Sequence, residues 1–492
     1  MAPDIDGPSQ VASAAKDQSS RQRWRSAIIA SGSLAGLILG LTAWLLLAQP
    51  SGYSVDQDIQ RAQTARTQGQ SELARRYFEA ALIQAPEQLE ARVGLATMLY
   101  EMGDWDQAWD LATVPTTPTS SGARARDQAV LDLIAGEIAL GRGRLDLAEE
   151  RFAAVREGAG QGFTPVVHAA ALNGLSHVYA DQGMIMEYLA IRAEAVDPLL
   201  VSAQVEAFAE GLLSAGTMVH PSFDESWSLP RLQRALSVFE EIGDAGGIAR
   251  THTALGANLA LDDATRARHF QTALALYRSA EHRPGELAVL IHLASFEIGR
   301  LNADAAQMHV ARGLELSNAL NAPRFHADFS YRNGLARMAS TVGAGIEVRD
   351  EQLEAATTAL ERAAAEYAAL GIVLDGLAPR FHAAIAWFDA GDATRALAAF
   401  EQLVQVYRDL PFPPGELGAR LGQAAALSKL GRHEQAEHVL EDIEQARPGA
   451  IPVTTAIRNA FIEEQSGASS RSLFEIIITA ERMLTDVGRF SD

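Results

Sequence analysis

The chain has 492 residues, 21% of them charged, with a formal net charge of −21 and a pI near 5.0. That balance argues against a nucleic-acid surface, which needs a basic stripe. The absence of cysteine excludes disulfides, thiolate zinc sites and Cys nucleophiles. Positive charge is carried almost entirely by Arg, as in a GC-rich bacterial gene, and neither lysine, Lys16 or Lys429, lies in a P-loop signature.

In chain order, residues 1–25 are polar, rich in Ser, Ala, Gln and Asp, and too short to build a core, so they read as a disordered cytoplasmic tail. Residues 27–48 follow without a single charge, long enough to cross a hydrocarbon core of ~30 Å as a helix. Lys16, Arg21, Arg23 and Arg25 precede this stretch, whereas Asp56 and Asp58 follow it before Arg61. The charge asymmetry predicts one transmembrane helix (26–48) in a bacterial inner membrane, with the N-terminus cytoplasmic and the bulk periplasmic. The apolar run exceeds that of a signal peptide and no clear A-x-A site follows it. Gly32, Gly36 and Gly40 would give this helix a flat stripe for self-association, although Gly is also simply common in membrane helices.

Beyond the span the chain keeps a beat. Gly103, Gly143 and Gly183 stand forty residues apart, and Gly391 and Gly431 repeat the interval. Ala follows five positions later at Ala108, Ala148, Ala396 and Ala436, with Tyr188 as the exception. The unit around Gly69 carries Ala74, Phe78, Ala81, Leu82 and Pro86, and the next carries Leu95, Tyr100, Gly103, Trp105 and Ala108. In the middle, Phe239 aligns with Tyr277, Gly247 with Gly285, and Leu255 with Leu293. The hexapeptide Ala-Pro-Arg-Phe-His-Ala occurs at 322–327 and again at 378–383, marking two equivalent helix starts. The spacing of fifty-six there is assigned to a loop insertion after Ala339.

A fixed period of this kind is the signature of a solenoid of helical hairpins. With Gly at the turn, Ala where two helices touch, an aromatic one turn on and Pro at the exit, the units resemble tetratricopeptide repeats. The resemblance covers most of residues 55–450. The expected fold is all-α: a right-handed α-solenoid of about ten tetratricopeptide-like hairpins, preceded by the transmembrane helix. Pro-, Gly- and Ser-rich lapses at 113–124 and 214–230 divide it. The expected order is a first repeat segment at 49–213, a linker loop at 214–230, a second segment at 231–450, and a capping helix and tail at 451–492.

The search for chemistry ends in packing. His433 and His438 lie five apart and so on different faces of a helix, which removes a zincin-like metal site. The Gly-rich stretches 157–162 and 343–345 follow no strand, no G-x-S-x-G is present, and no carboxylate pair is singled out. The chain therefore reads as a non-enzyme without metal or cofactor.

The resemblance implies protein binding, with the first helix of each hairpin lining a groove for a protein or peptide. On the two hexapeptide helices that stripe would carry Phe325, Phe329 and Arg332, and Phe381, Phe388 and Asp389. Phe and Arg recur in binding hot spots, although the aromatics could equally pack between repeats. The expected function is a membrane-anchored scaffold binding such a partner on the extracytoplasmic side. Two alternatives are the sensor part of a membrane-bound transcription regulator, whose winged helix this chain lacks, and an assembly factor for secretion, cytochrome maturation or the envelope.

Overall fold

The computed structural model describes residues 54–115, 122–158, 164–200, 202, 204–217, 225–410, 412–446, 450, 453–459, 472–474 and 476. Among these residues there are twenty long α-helices and no strand. The chain divides into two compact units, Met1–Arg92 and Val93–Asp492. Residues 26–48, with Gly32, Gly36 and Gly40, lie outside the described residues. Among those described, no helix is long and apolar enough to cross a membrane. The expectation of an inner-membrane protein with a periplasmic bulk is corrected accordingly: the helices found alternate buried and charged positions, as packing in a solenoid demands.

In the first unit, α1 (Val55–Thr67) opens on a capping box, Ser54 receiving the Gln57 amide while Gln57 receives that of Ser54. A left-handed Gly69 turns the chain into α2 (Ser71–Gln84), whose Ala74, Phe78 and Ala81 are buried. The small residues let the two helices approach closely. Helix α3 (Leu89–Met102) begins here and ends in the second unit.

The second unit continues with α4 (Trp105–Thr113), α5 (Gly122–Gly141), α6 (Leu145–Glu157), α7 (Pro165–Gln182), α8 (Ile185–Leu200), α9 (Val205–Gly216) and α10 (Glu225–Ile242). Then come α11 (Ala245–Ala257), α12 (Asp263–Ser279), α13 (Arg283–Gly299), α14 (Ala303–Ala319), α15 (Pro323–Ala339), α16 (Ile346–Ala369), α17 (Leu374–Asp389), α18 (Ala393–Asp409), α19 (Pro413–Lys429) and α20 (His433–Ala446). Consecutive pairs make ten hairpins, α1 with α2 through α19 with α20. Helix also enters the stretch read as a linker: α9 runs to Gly216 and α10 starts at Glu225.

Hairpins are joined by a repeated device. The aromatic near the end of a second helix lies over a glycine at the start of the next first helix, as Phe239 does over Gly247, Tyr277 over Gly285 and Tyr407 over Gly415. A Cβ on Gly285 would sit 2.2 Å from the Tyr277 ring, so only glycine admits the ring at this distance. The left-handed turn geometry also outlives its glycine. Glu281, Leu301 and Asn321 hold φ of 53°, 59° and 49° in turns where the beat has no Gly. Asn321 tolerates this region, whereas at Glu281 and Leu301 the stacking of neighbouring hairpins holds the turn against local preference.

Two details differ from the sequence reading. The long interval after Ala339 is not a loop: its length goes into α16, at 24 residues the longest helix described, and into an early start of α17 at Leu374. Pro323 opens α15, but Pro379 consequently falls inside α17. Lacking an N–H, it costs that helix a single hydrogen bond near its start, where the loss is smallest.

Candidate functional site

In the second unit the first helices lie side by side in one layer: α5 against α7, α7 against α9, and so on through α11, α13, α15, α17 and α19. The same layer also meets itself, α5 touching α15 and α7 touching α17. A seam therefore joins hairpins two to four to hairpins seven to nine. The turn at Gly103 abuts Arg283 and Leu320, that at Gly143 abuts Leu370, and that at Gly183 abuts Val373 and Leu410. A Cβ on Gly143 would stand 2.5 Å from Leu370 Cδ2. The seam is apolar around these turns, with Ala327, Tyr367 and Ile372 sharing one core with Leu140, Leu172 and Val178. The Val373 amide closes it by donating to the Asp181 carbonyl at 2.7 Å.

An ionic centre sits in the same seam. Arg324 on α15 forks onto Asp181 on α7, 143 residues away, with Nε–Oδ2 at 2.7 Å and Nη2–Oδ1 at 3.0 Å. Its guanidinium also lies 3.5 Å from Asp328 and 3.7 Å from Asp375. The Tyr367 hydroxyl donates to Asp328 at 2.6 Å. Arg332 donates to the Asp328 carbonyl and, across to α13, to Ser295 Oγ, both at 3.0 Å. Asp181 is 2% exposed, so removing its partner would strand a buried charge.

Enclosure tunes the surrounding groups. Burial works against the charge on Arg324, but Asp181, then Asp328 and Asp375, outweigh it and hold its pKa well above the ordinary value. Burial and the Asp328 charge push Asp375 up to about 6, with Arg324 opposing. Burial lifts Glu137 on α5 to about 7, again against Arg324. His177, one turn before Asp181, drops to about 4 through burial and then through Arg324 and Arg192. His292 on α13 drops to about 4 through burial and Arg332. Both imidazoles nevertheless keep exposed surface, as does Asp375. His177, His292 and Asp375 thus present polar surface beside the charged centre of Arg324, Arg332 and their carboxylates.

The expected groove residues are placed as follows. Phe329 is fully buried, its ring over Gly313. Phe388 is 8% exposed beneath Lys429, whose Nζ lies 4.3 Å from the ring centre and donates to the Phe388 carbonyl. Asp389, 7% exposed, accepts from Ser472 Oγ and the Leu473 amide at 2.7 Å and from the Phe474 amide at 3.3 Å, so it anchors the C-terminal region. Phe381 is half-buried against Phe400 and Gly418. Phe325 is half-buried beside the Gly141 end of α5, and Arg332 keeps 17% of its side chain exposed. Of the six, Phe325 and Arg332 thus stand at the seam and its charged centre. Among the described residues no group of three His, Asp or Glu is arranged to hold a metal ion. Asp181, Arg324, Asp375, Glu137 and His177 did not stand out in the sequence. The repeated hexapeptide contained Arg324, but nothing local identified its partner.

A tetratricopeptide repeat family model matches residues 59–119 and 382–451. No curated protein sequence matches the chain. Among solved structures, a Rap protein complexed with Competence and Sporulation Factor is similar at 12% identity and a TM-score of 0.45, covering 73% of this chain and 98% of that one. The apo form of the quorum sensor NprR from B. thuringiensis is similar at 11% identity and 0.40, again over 73% and 98%. A signal transduction ATPase with a tetratricopeptide repeat sensor from Pyrococcus horikoshii follows at 10% identity and 0.43, over 80% of this chain and 55% of that one. Tetratricopeptide-type repeats are thus carried at residues 59–119 and 382–451.

Proposed function

We propose that the second unit is a non-catalytic scaffold whose first-helix layer binds a protein or peptide partner along the polar surface of His177, His292 and Asp375. One observation carries this reading: these side chains are exposed and stand beside the buried charged centre of Arg324, Arg332 and Asp181, so they are open to a ligand where charge is concentrated. Ordinary packing explains the Gly, Ala and aromatic positions but not polar side chains left open in such a place. The lining mixes guanidiniums with neutral imidazoles, which suits hydrogen bonds to peptide carbonyls and carboxylates. Phe325 and Arg332 border the same layer and could contribute an apolar contact and a donor.

Photocrosslinking tests this directly. A photoreactive residue at position 292 or 177 is expected to trap a discrete partner from the native extract. The same residue at Met308 on α14 or Met186 on α8, both exposed on second helices, is expected to trap none. Trapping from Met308 or Met186 alone would move the binding face to the second helices and end this reading.

A further inference from the structure

The first helices that ought to receive a partner at hairpins eight and nine are already covered, by this chain's own hairpins two to four. Asp181 makes both of the polar contacts on which that cover turns. Its carboxylate occupies the Arg324 fork, and its main-chain carbonyl takes the Val373 amide at 2.7 Å. A carboxylate side chain and the carbonyl of the same residue are what an aspartyl residue in an extended peptide would also present. We propose that the α15–α17 face is a docking surface for an acidic residue of a partner chain, and that Asp181 holds the place of that residue in a closed, self-occupied state. This rests on the scaffold reading above and adds the partner's chemistry and its competition with the chain itself.

The seam has the physical make-up of a contact that can be exchanged. Turns at Gly103, Gly143 and Gly183 meet helix ends around Arg283, Leu320, Leu370 and Val373 there, beside one small core that Ala327, Tyr367 and Ile372 share with Leu140, Leu172 and Val178. Helices α15 and α17 keep their own partners in α16 and α18 whether or not the seam is closed. Its ionic centre is also over-supplied with negative charge. Asp181, Asp328, Asp375 and Glu137 surround the two guanidiniums of Arg324 and Arg332, with His177 neutral beside them. Exchanging Asp181 for another chain's aspartate leaves that charge balance unchanged, so the ionic contact is conserved and a partner has to overcome the tethering of the chain's own segment.

Because the chain has no cysteine, a single introduced thiol reports on the seam. In the full chain, Phe325→Cys lies under the α5 contact, while Ala386→Cys lies in a buried cluster that the seam does not cover. Position 325 keeps some surface in the closed state, so the reading is the change in rate: Asp181→Asn is expected to raise the seam thiol's rate with a thiol reagent about tenfold and to leave the core thiol's rate unchanged. A capped peptide of the chain's own sequence Tyr-Ala-Asp-Gln-Gly-Met, at millimolar concentration, is expected to raise the Phe325→Cys rate. Its Asn counterpart is expected to do so several-fold less. A seam thiol whose rate Asp181→Asn leaves unchanged, or raises only together with that of the core thiol, would mean that the seam opens only on global unfolding and would overturn the closed-state proposal. Equal action of the two peptides would remove the acidic partner. A partner trapped from position 292 together with a seam that never opens would leave the scaffold reading standing and sink this one.

Discussion

The sequence Ala-Pro-Arg-Phe-His-Ala occurs twice, and its two copies live in different surroundings. In the first, Arg324 is clasped by Asp181 at the seam, Phe325 lies beside Gly141, and His326 stands 3.3 Å from Glu366. In the second, Arg380 is exposed, Phe381 packs on Phe400, and His382 Nδ1 lies 3.0 Å from both the Tyr331 hydroxyl and the Ala378 carbonyl. The turn glycines divide in the same way. Gly103 and Gly143 have another hairpin's side chain pressed on them, whereas a Cβ on Gly391 or Gly431 would meet nothing within 4 Å. Both copies of the hexapeptide are helical, although one opens its helix and the other lies a turn inside; which of them bears a tertiary contact is set by where the layer of first helices meets itself.

The largest expected difference between the two copies lies at the arginines. Arg324→Ala strands Asp181 without its fork and is expected to cost about 3–5 kcal/mol, as for other buried pairs that lose one member. Arg380→Ala, at the equivalent position of an exposed copy, is expected to stay within about 0.5 kcal/mol. Urea unfolding of both variants decides it, and equal losses would mean that the seam contributes nothing to stability.

At the turn glycines the expected difference is smaller. Gly391→Ala places an L-residue at φ 96° in open space, an expected loss of about 1–2 kcal/mol from the left-handed backbone alone. Gly143→Ala carries a similar backbone cost at φ 68° and adds a collision with Leu370, about 1–3 kcal/mol more. Trimming the opposing side chain with Leu370→Ala in the Gly143→Ala background should recover the steric part. A double-mutant cycle showing no coupling between 143 and 370 would dissolve the distinction between the two kinds of turn.

The smallest expected effect is a pH dependence. Glu137 has its pKa raised, by burial first, to about 7. A raised carboxyl contributes stability that is fully present below its unfolded value and is lost as pH rises through the folded one. Between pH 5 and pH 7.5 the urea midpoint of the natural chain should therefore fall more than that of Glu137→Gln. Asp375, raised to about 6, acts in the same direction, while His177, lowered to about 4, acts the other way and weakens the fold as pH drops below its ordinary value. A natural chain and a Glu137→Gln variant with parallel pH profiles would show that Glu137 is not enclosed.

Much of the fold was legible because its rules are local. Gly69, Gly103 and Gly143 do sit at left-handed turns, and Ala74, Ala108 and Ala148 are fully buried where helices of a hairpin meet. The site was legible only in part. Arg332 and Asp389 attracted notice as polar residues on an expected groove face, yet Asp389 is spent on capping residues 472–474, more than eighty positions later. The inner polar centre left no trace because its members, Asp181 and Arg324 above all, are spaced by no period.

By itself the sequence determined that this chain folds as hairpins with glycine turns and alanine contacts, and roughly how many, since each of those features depends on a few neighbouring residues. The tertiary structure alone decided which turns are covered, which copy of a repeated hexapeptide carries a buried charge, and where open polar surface lies inside the second unit. The physical reason is the geometry of stacking. A repeat fixes the rotation from one hairpin to the next only approximately, and small rotations summed over five hairpins determine whether Asp181 arrives within 3 Å of Arg324.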